Sequence, residues 1–503
     1  MASIGKSIGY NFFAQLFGRI ISFIINVYLL RVIDSEVIGI VNVRLTLLYN
    51  TILFLTREPL RKGKIFEGTL PQFVNIVWLS PVIATVLSVI CVAFWNVFSS
   101  TSREIPTFVL LAFPLSAIIE SIGEPFAVFS LRFSLTAHYA WSQCLLISFQ
   151  RIFVLFLLLF TNSYEHLMIY ALAQIFASIS YTVFHFWCFF KFSKQRIPEL
   201  NLFPSFKSFF PSFNLGFNTN ALSNLTHLFG HSFLKQLATD SSGYLMTFTE
   251  ITSLKNQAVF DAIEKLGSLV CRIVLAPLEE SCAAHFRNEI HNASKTLRKS
   301  FIDILHVSSV IGLIVCIFGV PYSKVAVWLY GGKLLVENGG DLLLSVYCVY
   351  IFVMAVNGIT ECFAMATMGN AQLLKHSYFL FFLALLQPFL AYHLVSIVGV
   401  SGFIVSKCID MILRIIFSWL QSRKFFGSEL MITDILPSWS ILLSILLTFS
   451  GAFFSSQYFE ATEFMQSLCH LVIGGILFVL LSLYVVFYDP VFNMFVGSKV
   501  KSK

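Results

Sequence analysis

Long apolar runs broken by short polar ones fill this chain, and each run approaches the length of about 20 residues that a helix needs to cross a bilayer. The pattern predicts fourteen helical spans, near residues 10–33, 37–56, 72–99, 105–122, 137–160, 164–190, 229–251, 257–280, 300–330, 341–369, 374–397, 399–422, 436–456 and 464–488. The seventh (HSFLKQLATDSSGYLMTF) and eighth (VFDAIEKLGSLVCRIVLAPLEES) are unusually polar. A twelve-span chain with these two on the surface is the alternative, but a bundle interior can hold such polarity, which favours fourteen.

The longest polar insert, between Lys191 and Leu228, is rich in Pro, Ser, Asn and Phe. It reads as a cytosolic linker with an interface-seeking aromatic surface. Spans one to six and seven to twelve then form two halves. Pro59-Leu60 aligns with Pro277-Leu278, and ESIGEPFA (Glu120 to Ala127) with NGITECFA (Asn357 to Ala364), which matches Glu124 with Glu361. An even number of spans in each half makes the repeats parallel, about an axis along the membrane normal, with the expected site between them near midplane. The expected fold is an all-α polytopic membrane protein: an N-terminal six-helix half (1–190), the linker (191–228), a C-terminal six-helix half (229–422), and two extra helices with a basic cytosolic tail (423–503).

Polar positions inside the spans fall at helical spacing. Asn11, Gln15, Gly18/Arg19, Ser22 and Asn26 stripe the first span, and Asp261, Glu264/Lys265, Ser268 and Arg272 the eighth. His227, His231, Lys235 and Thr239 repeat the pattern at the seventh, and Ser116, Glu120 and Glu124 at the fourth. Such stripes must face protein or water, which predicts a central hydrophilic cavity. The second span carries Arg44 inside it and Arg57, Glu58, Arg61 and Lys62 at its end. The alternative is that these groups only pair, Glu58 with Arg61 and Lys62, and Glu279 and Glu280 with nearby Arg, tying helix ends together. That alternative has equal weight at TREPLRKG, an interfacial segment where snorkelling is cheap. Arg19, Lys235 and Arg272 lie well within their spans and favour the cavity.

Composition excludes a soluble fold: of 503 residues, 57% are hydrophobic and 12% charged, against about 45–50% and about 25% in ordinary domains. The fourteen-span topology puts twenty Lys and Arg on the face shared by both termini. Opposite them stand Arg31, Arg103, Lys255 and Lys333, with Lys324 at the margin. The positive-inside rule therefore places both termini in the cytosol. The net charge of +7 is a topology signal and does not point to nucleic acid. MASIGKSIGY runs into an apolar stretch without a small-residue cleavage site, so an uncleaved signal anchor is expected. The ten Cys show no metal spacing and read as small buried hydrophobes, and no motif calls for a metal or cofactor. The terminal KVKSK fits a lysine-based retrieval address for the endoplasmic reticulum, or equally a basic tail against anionic lipid. Nothing in the sequence specifies an oligomeric state.

Five blocks carry a family resemblance: NVRLTLLYNTILFLTREPLRKG, FLKQLATDSSGYLMTF, VFDAIEKLGSLVCRIVLAPLEES, the YGG at Tyr330, and VYIFVMAVNGITECFAMATM. Together they resemble the Rft family of eukaryotic endoplasmic-reticulum membrane proteins over nearly the whole chain. Pro59 and Lys62 depart modestly from that family's R-E-A-x-R-R tendency. The resemblance implies a fold like the multidrug/oligosaccharidyl-lipid/polysaccharide exporter superfamily and a place in N-linked glycosylation. Its implied cargo is the dolichyl diphosphate oligosaccharide with five mannoses and two N-acetylglucosamines, handled in the membrane lipid itself. For such a cargo, Arg19, Lys235 and Arg272 are the candidates for the diphosphate. Arg44 is a further one, although it lies only roughly 9–10 Å from the start of its span. Asp261, Glu264, Glu124 and Glu361 are candidates for positioning those cations or for hinge contacts. Asn11 and Gln15 could take sugar hydroxyls, and Arg57, Glu58 and Arg61 could gate the cytosolic mouth.

A glycolipid translocator is the favoured reading, a non-transporting scaffold of the same pathway the second, and a cation-coupled antiporter of small molecules the third. An enzyme fits worst, because short loops leave no soluble domain for a paired-carboxylate site. The sequons Asn224-Leu225-Thr226 and Asn292-Ala293-Ser294 both fall on the side assigned to the cytosol. Neither is expected to carry glycan, and glycosidase-sensitive mass at either would overturn the orientation.

Overall fold

The computed structural model describes residues 20–62, 69–99, 105–133, 135–160, 165–212, 216–289, 294–427 and 438–493, and their regular structure is helical throughout. The chain forms two compact units, Met1–Glu250 and Ile251–Lys503. In the first lie α1 (Ile20–Val32), α2 (Ser35–Arg61), α3 (Leu70–Phe98), α4 (Thr107–Arg132), α5 (Thr136–Phe160), α6 (His166–Gln195), α7 (Thr219–Thr239) and α8 (Ser241–Phe248). The second holds α9 (254–289), α10 (Ser294–Gly331), α11 (Gly340–Thr367), α12 (Asn370–Val398), α13 (Ser401–Phe426), α14 (Trp439–Tyr458) and α15 (Phe464–Tyr488).

Ten described helices are long and apolar enough to cross a membrane, which makes the protein a polytopic all-α membrane protein. The other four predicted spans are helical too. The first is described only as α1, the seventh is divided between α7 and α8, and α9 and α13 carry charges inside them. Among the described residues, length and apolarity alone therefore identify ten crossings; α1 falls short only in its described length, and the polar α7–α8, α9 and α13 depend on where their polar faces are satisfied.

Each unit is built around one central helix. In the first, α4 packs on α2, α3 and α6, and α5 packs on α6. In the second, α11 packs on α9, α10 and α13, and α12 packs on α13. The two pairing patterns are the same, element for element. They share an anchor as well: Phe126 of EPFA and Phe363 of ECFA are both fully buried, each within an aromatic core. Around Phe126 stand Phe73, Phe129, Phe189, Phe203 and Phe209. Around Phe363 stand Phe286, Phe301, Trp419 and Phe426.

The segment after α6 is folded more tightly than a free linker. Two short helical turns, Pro198–Leu200 and Phe206–Phe209, turn Phe203 and Phe209 into the core of the first unit. Its backbone is satisfied by side chains of α3. Asn75 donates to the carbonyls of Ser212 (2.8 Å) and Gly216 (2.9 Å) and accepts from the Ser212 N–H (2.7 Å). The Trp78 indole donates to the Phe209 carbonyl at 2.7 Å. The aromatic surface expected to seek the interface is thus partly core, because a Phe-rich segment next to an apolar cleft gains more by entering it.

Proline inside a spanning helix needs the same kind of compensation. Pro125 cannot donate to the Ser121 carbonyl one turn back, and the Ser80 hydroxyl of α3 donates to it instead, at 3.0 Å. In the second unit α14 and α15 dock onto α10 through polar contacts as well as apolar ones. His306 and Asp489 lie 2.7 Å apart, Tyr322 stacks on His470 with ring centres 3.9 Å apart, and His470 shares a 2.7 Å hydrogen bond with Ser455.

At the start of α13 the backbones of two helices approach closely. A Cβ on Gly402 would lie 2.5 Å from the backbone of Leu394 and Val395 in α12. Backbone atoms cannot rotate away, so Gly402→Ala is expected to destabilise the protein by about 1–3 kcal/mol. Gly475, with nothing within 4 Å of its Cβ position, should accept Ala without loss. Thermal midpoints of the two purified variants test the contrast.

Candidate functional site

The charged end of α2 divides its side chains between two faces. At about 100° per residue, Arg57 and Arg61 share one face, and Glu58 and Lys62 share the next one round. The arginines turn to α4, where Glu120 and Glu124 are likewise one turn apart. Arg57 donates from Nε to Glu124 Oε2 at 2.8 Å and from Nη2 to Glu120. Arg61 grips Glu124 with both Nε (2.5 Å) and Nη2 (2.8 Å). Tyr49 donates its hydroxyl to Glu120, and Arg61 Nη1 donates to the Tyr139 oxygen at 2.9 Å. The Tyr181 ring lies beneath Arg57, 5.8 Å from the guanidinium carbon. Both carboxylates are 0% exposed. Two cations and two anions leave the set neutral, the condition under which charge is tolerated at that depth.

This corrects the pairing expected within α2. Glu58 does meet Lys62, at 3.1 Å, but its second partner is Lys235 of α7 at 2.8 Å, while Arg61 goes to Glu124. Lys62 also stands 3.4 Å from Nδ1 of His231, and the Lys235 ammonium lies 5.4 Å from the Phe54 ring centre. The stripe His227, His231, Lys235 and Thr239 is exposed on the first unit, with Lys235 at 48%. Arg44 is 3% exposed, inside the first unit within a π-helical turn, Gly39–Leu45, so its guanidinium is not presented at the surface. Asn11, Gln15 and Arg19 lie outside the described residues.

In the second unit the stripe on α9 is largely paired. Lys265 reaches Asp261 at 2.7 Å, one turn back, and Glu264 binds Lys407 of α13, whose ammonium is 5.6 Å from the Phe260 ring centre. Arg272 is exposed on a second π-helical turn, Cys271–Leu275. Glu361 accepts from Asn357 at 3.1 Å and lies 3.9 Å from His376 Nε2. The alignment that matches Pro59 with Pro277 places Glu279 where Arg61 stands, and Glu279 packs its side chain against Gly358 of α11, where a Cβ would collide with it. The Arg–Glu weld of the first unit therefore has no copy at the matching positions of the second.

Sequence reasoning did not single out Tyr49, Tyr139, Tyr181 or Lys407. A signal existed for Lys407: with Asp410 and Arg414 it forms a charged stripe at helical spacing within the twelfth span, and Arg414 pairs with Asp410 at 3.0 Å. The tyrosines gave none, since aromatic residues are frequent in every span. Among the described residues no three His, Cys, Asp or Glu side chains converge as metal ligands.

The profile of the family described as Rft protein matches residues 3–496. The chain is 46% identical to the Man(5)GlcNAc(2)-PP-dolichol translocation protein RFT1 of Caenorhabditis elegans, over 99% of each chain. It is 30% identical to the protein of that name from Xenopus tropicalis, over 94% of this chain and 92% of that one. Among solved structures it is similar to the lipid II flippase MurJ in an inward closed conformation, with TM-score 0.66, 13% identity, and 95% and 98% of the two chains covered. It is also similar to an inward-facing MATE family transporter of the MOP superfamily, with TM-score 0.57, 14% identity, and 83% and 94% covered. At these identities the structural likenesses show the fold alone.

Removing one partner of the buried set leaves an uncompensated charge. Arg61→Ala is expected to cost about 3–5 kcal/mol and to lower the membrane level of the protein. Arg57→Glu should be worse, since it sets three carboxylates together, whereas Arg57→Lys keeps the charge and should be the mildest. Thermal midpoints and steady-state levels check this order, and equal behaviour of the Lys and Glu variants at position 57 would refute the assignment.

Proposed function

The chain belongs to the Rft protein family, and we infer from that membership that it takes part in moving a dolichyl diphosphate-linked oligosaccharide between membrane leaflets for protein N-glycosylation. The end-to-end relationship at 46% identity to a protein named for Man(5)GlcNAc(2)-PP-dolichol translocation carries this reading. The membrane is that of the endoplasmic reticulum, the movement runs from the cytosolic to the lumenal leaflet, and both termini face the cytosol. The excess of Lys and Arg on that side supports this orientation.

The cargo joins three chemistries: a polyprenyl tail that stays in lipid, sugar hydroxyls that need hydrogen bonds, and a diphosphate that needs cations. Lysine offers the diphosphate a point charge and arginine a bidentate donor pair. Lys62 and Lys235 of the first unit and Arg272 of the second are the exposed cations that suit this role. Arg57 and Arg61, saturated by carboxylates, brace the helices that carry them. All fourteen segments cross the membrane in this reading, the polar ones with their charged faces toward the cargo's path. The chain acts as a carrier and not an enzyme. The second reading, an accessory protein of the same pathway, would keep the brace but have no use for exposed cations.

Reconstitution separates the two. Purified protein in vesicles with the defined glycolipid should accelerate its translocation, and Lys235→Ala and Arg272→Ala should slow that movement while leaving protein level and thermal midpoint near those of the parent chain. Absence of translocation by the intact chain would favour the accessory role, and full activity of both variants would remove these residues from the headgroup's path.

A further inference from the structure

Glu58 sits at the centre of a small ionic cluster unlike the buried weld beside it. A single carboxylate oxygen, Oε1, accepts from Lys235 Nζ at 2.8 Å and from Lys62 Nζ at 3.1 Å. Two ammonium groups from two different helices thus converge on one anionic oxygen, as they would on a phosphate oxygen. The side chains are open to exchange: Lys62 is 37% exposed, Lys235 48% and Glu58 20%. Two lysines against one glutamate give these three side chains a net charge of +1, in contrast to the neutral set formed by Arg57, Arg61, Glu120 and Glu124.

We propose that Glu58 is a place-holding counterion, which gathers Lys62 and Lys235 around one oxygen and yields them to the diphosphate headgroup when it binds. The proposal rests on the translocation reading above and deepens it. Displacement is feasible because both lysine partners are open, and a surface carboxylate–ammonium pair contributes only about 0–1 kcal/mol. A diphosphate, with more charge and several oxygens, outcompetes a single carboxylate for the same two donors. Once displaced, Glu58 remains tethered within reach of both lysines, so it also drives the headgroup off again. It therefore limits affinity and sustains turnover.

The test uses the full-length purified chain, with inorganic pyrophosphate and farnesyl diphosphate as probes, alongside the vesicle translocation assay. Glu58→Gln keeps the shape and an acceptor oxygen but removes the competing charge. It should bind both probes roughly fivefold more tightly and translocate glycolipid more slowly. Lys235→Gln and Lys62→Gln should bind more weakly and also translocate more slowly. A gain in affinity with a loss of turnover is what a simple brace between α2 and α7 would not produce, since losing a brace lowers both. Should Glu58→Gln fail to fold, Glu58→Asp, which withdraws the charge by one methylene, should shift both quantities in the same directions. Binding by Glu58→Gln equal to or weaker than that of the parent chain overturns the place-holder, while a loss on Lys235→Gln would still uphold the diphosphate reading. Failure of the parent chain to bind either probe overturns both. Binding of pyrophosphate but not farnesyl diphosphate would mark a site for free diphosphate and end the lipid-linked form of the proposal.

Discussion

Two guanidinium groups closed on two fully buried carboxylates are the constraint around which the first unit is arranged. Charges at that depth persist only as a complete set, so Arg57, Arg61, Glu120 and Glu124 fix the rotation of α2 against α4 and bring Tyr49, Tyr139 and Tyr181 around them. That rotation has a consequence on the neighbouring face of α2. Once the arginines face α4, the helical period turns Glu58 and Lys62 toward α7, where Lys235 and His231 meet them. One helix end thus carries an inert brace and an exchangeable ionic cluster a single residue apart.

The same demand for satisfied polar groups explains features with no charge. Ser80 takes the carbonyl that Pro125 leaves open, and Asn75 spends its side-chain amide on the backbone of the segment after α6. In hydrocarbon, such compensation decides whether irregular backbone is tolerated at all. It also lets a Pro- and Phe-rich stretch become part of the fold of the first unit.

The two units share their helix pairing and their buried anchors, Phe126 and Phe363, yet differ in charge at matched positions. Where the first unit has Arg61 bound to Glu124, the second has Glu279 against Gly358 and Glu361 beside Asn357 and His376. Packing follows apolar shape, which the two units have in common. Polar contacts depend on individual atoms, and a single Arg–Glu exchange redirects them. The two units therefore show one helix-pairing pattern with two electrostatic characters.

Helix positions, the polytopic class, the family and the polar stripes were legible in the sequence, because hydrophobicity and helical period are local quantities written into every twenty-residue window. Ser116, Glu120 and Glu124 do share one face of α4, but it is fully buried, while His231 and Lys235 share an exposed face of α7. What the stripes touch was not legible. The sequence made Glu58 and Arg61 natural partners at i+3, and only the docking of α4 showed that Arg61 has a better one in Glu124. Likewise Lys407 acquires its meaning from Glu264, 143 positions away in the chain, and Phe209 becomes core only because α3, α4 and α6 leave a cleft for it. Partner choice depends on how helices rotate and pack against one another, a long-range property that local sequence constrains but does not specify.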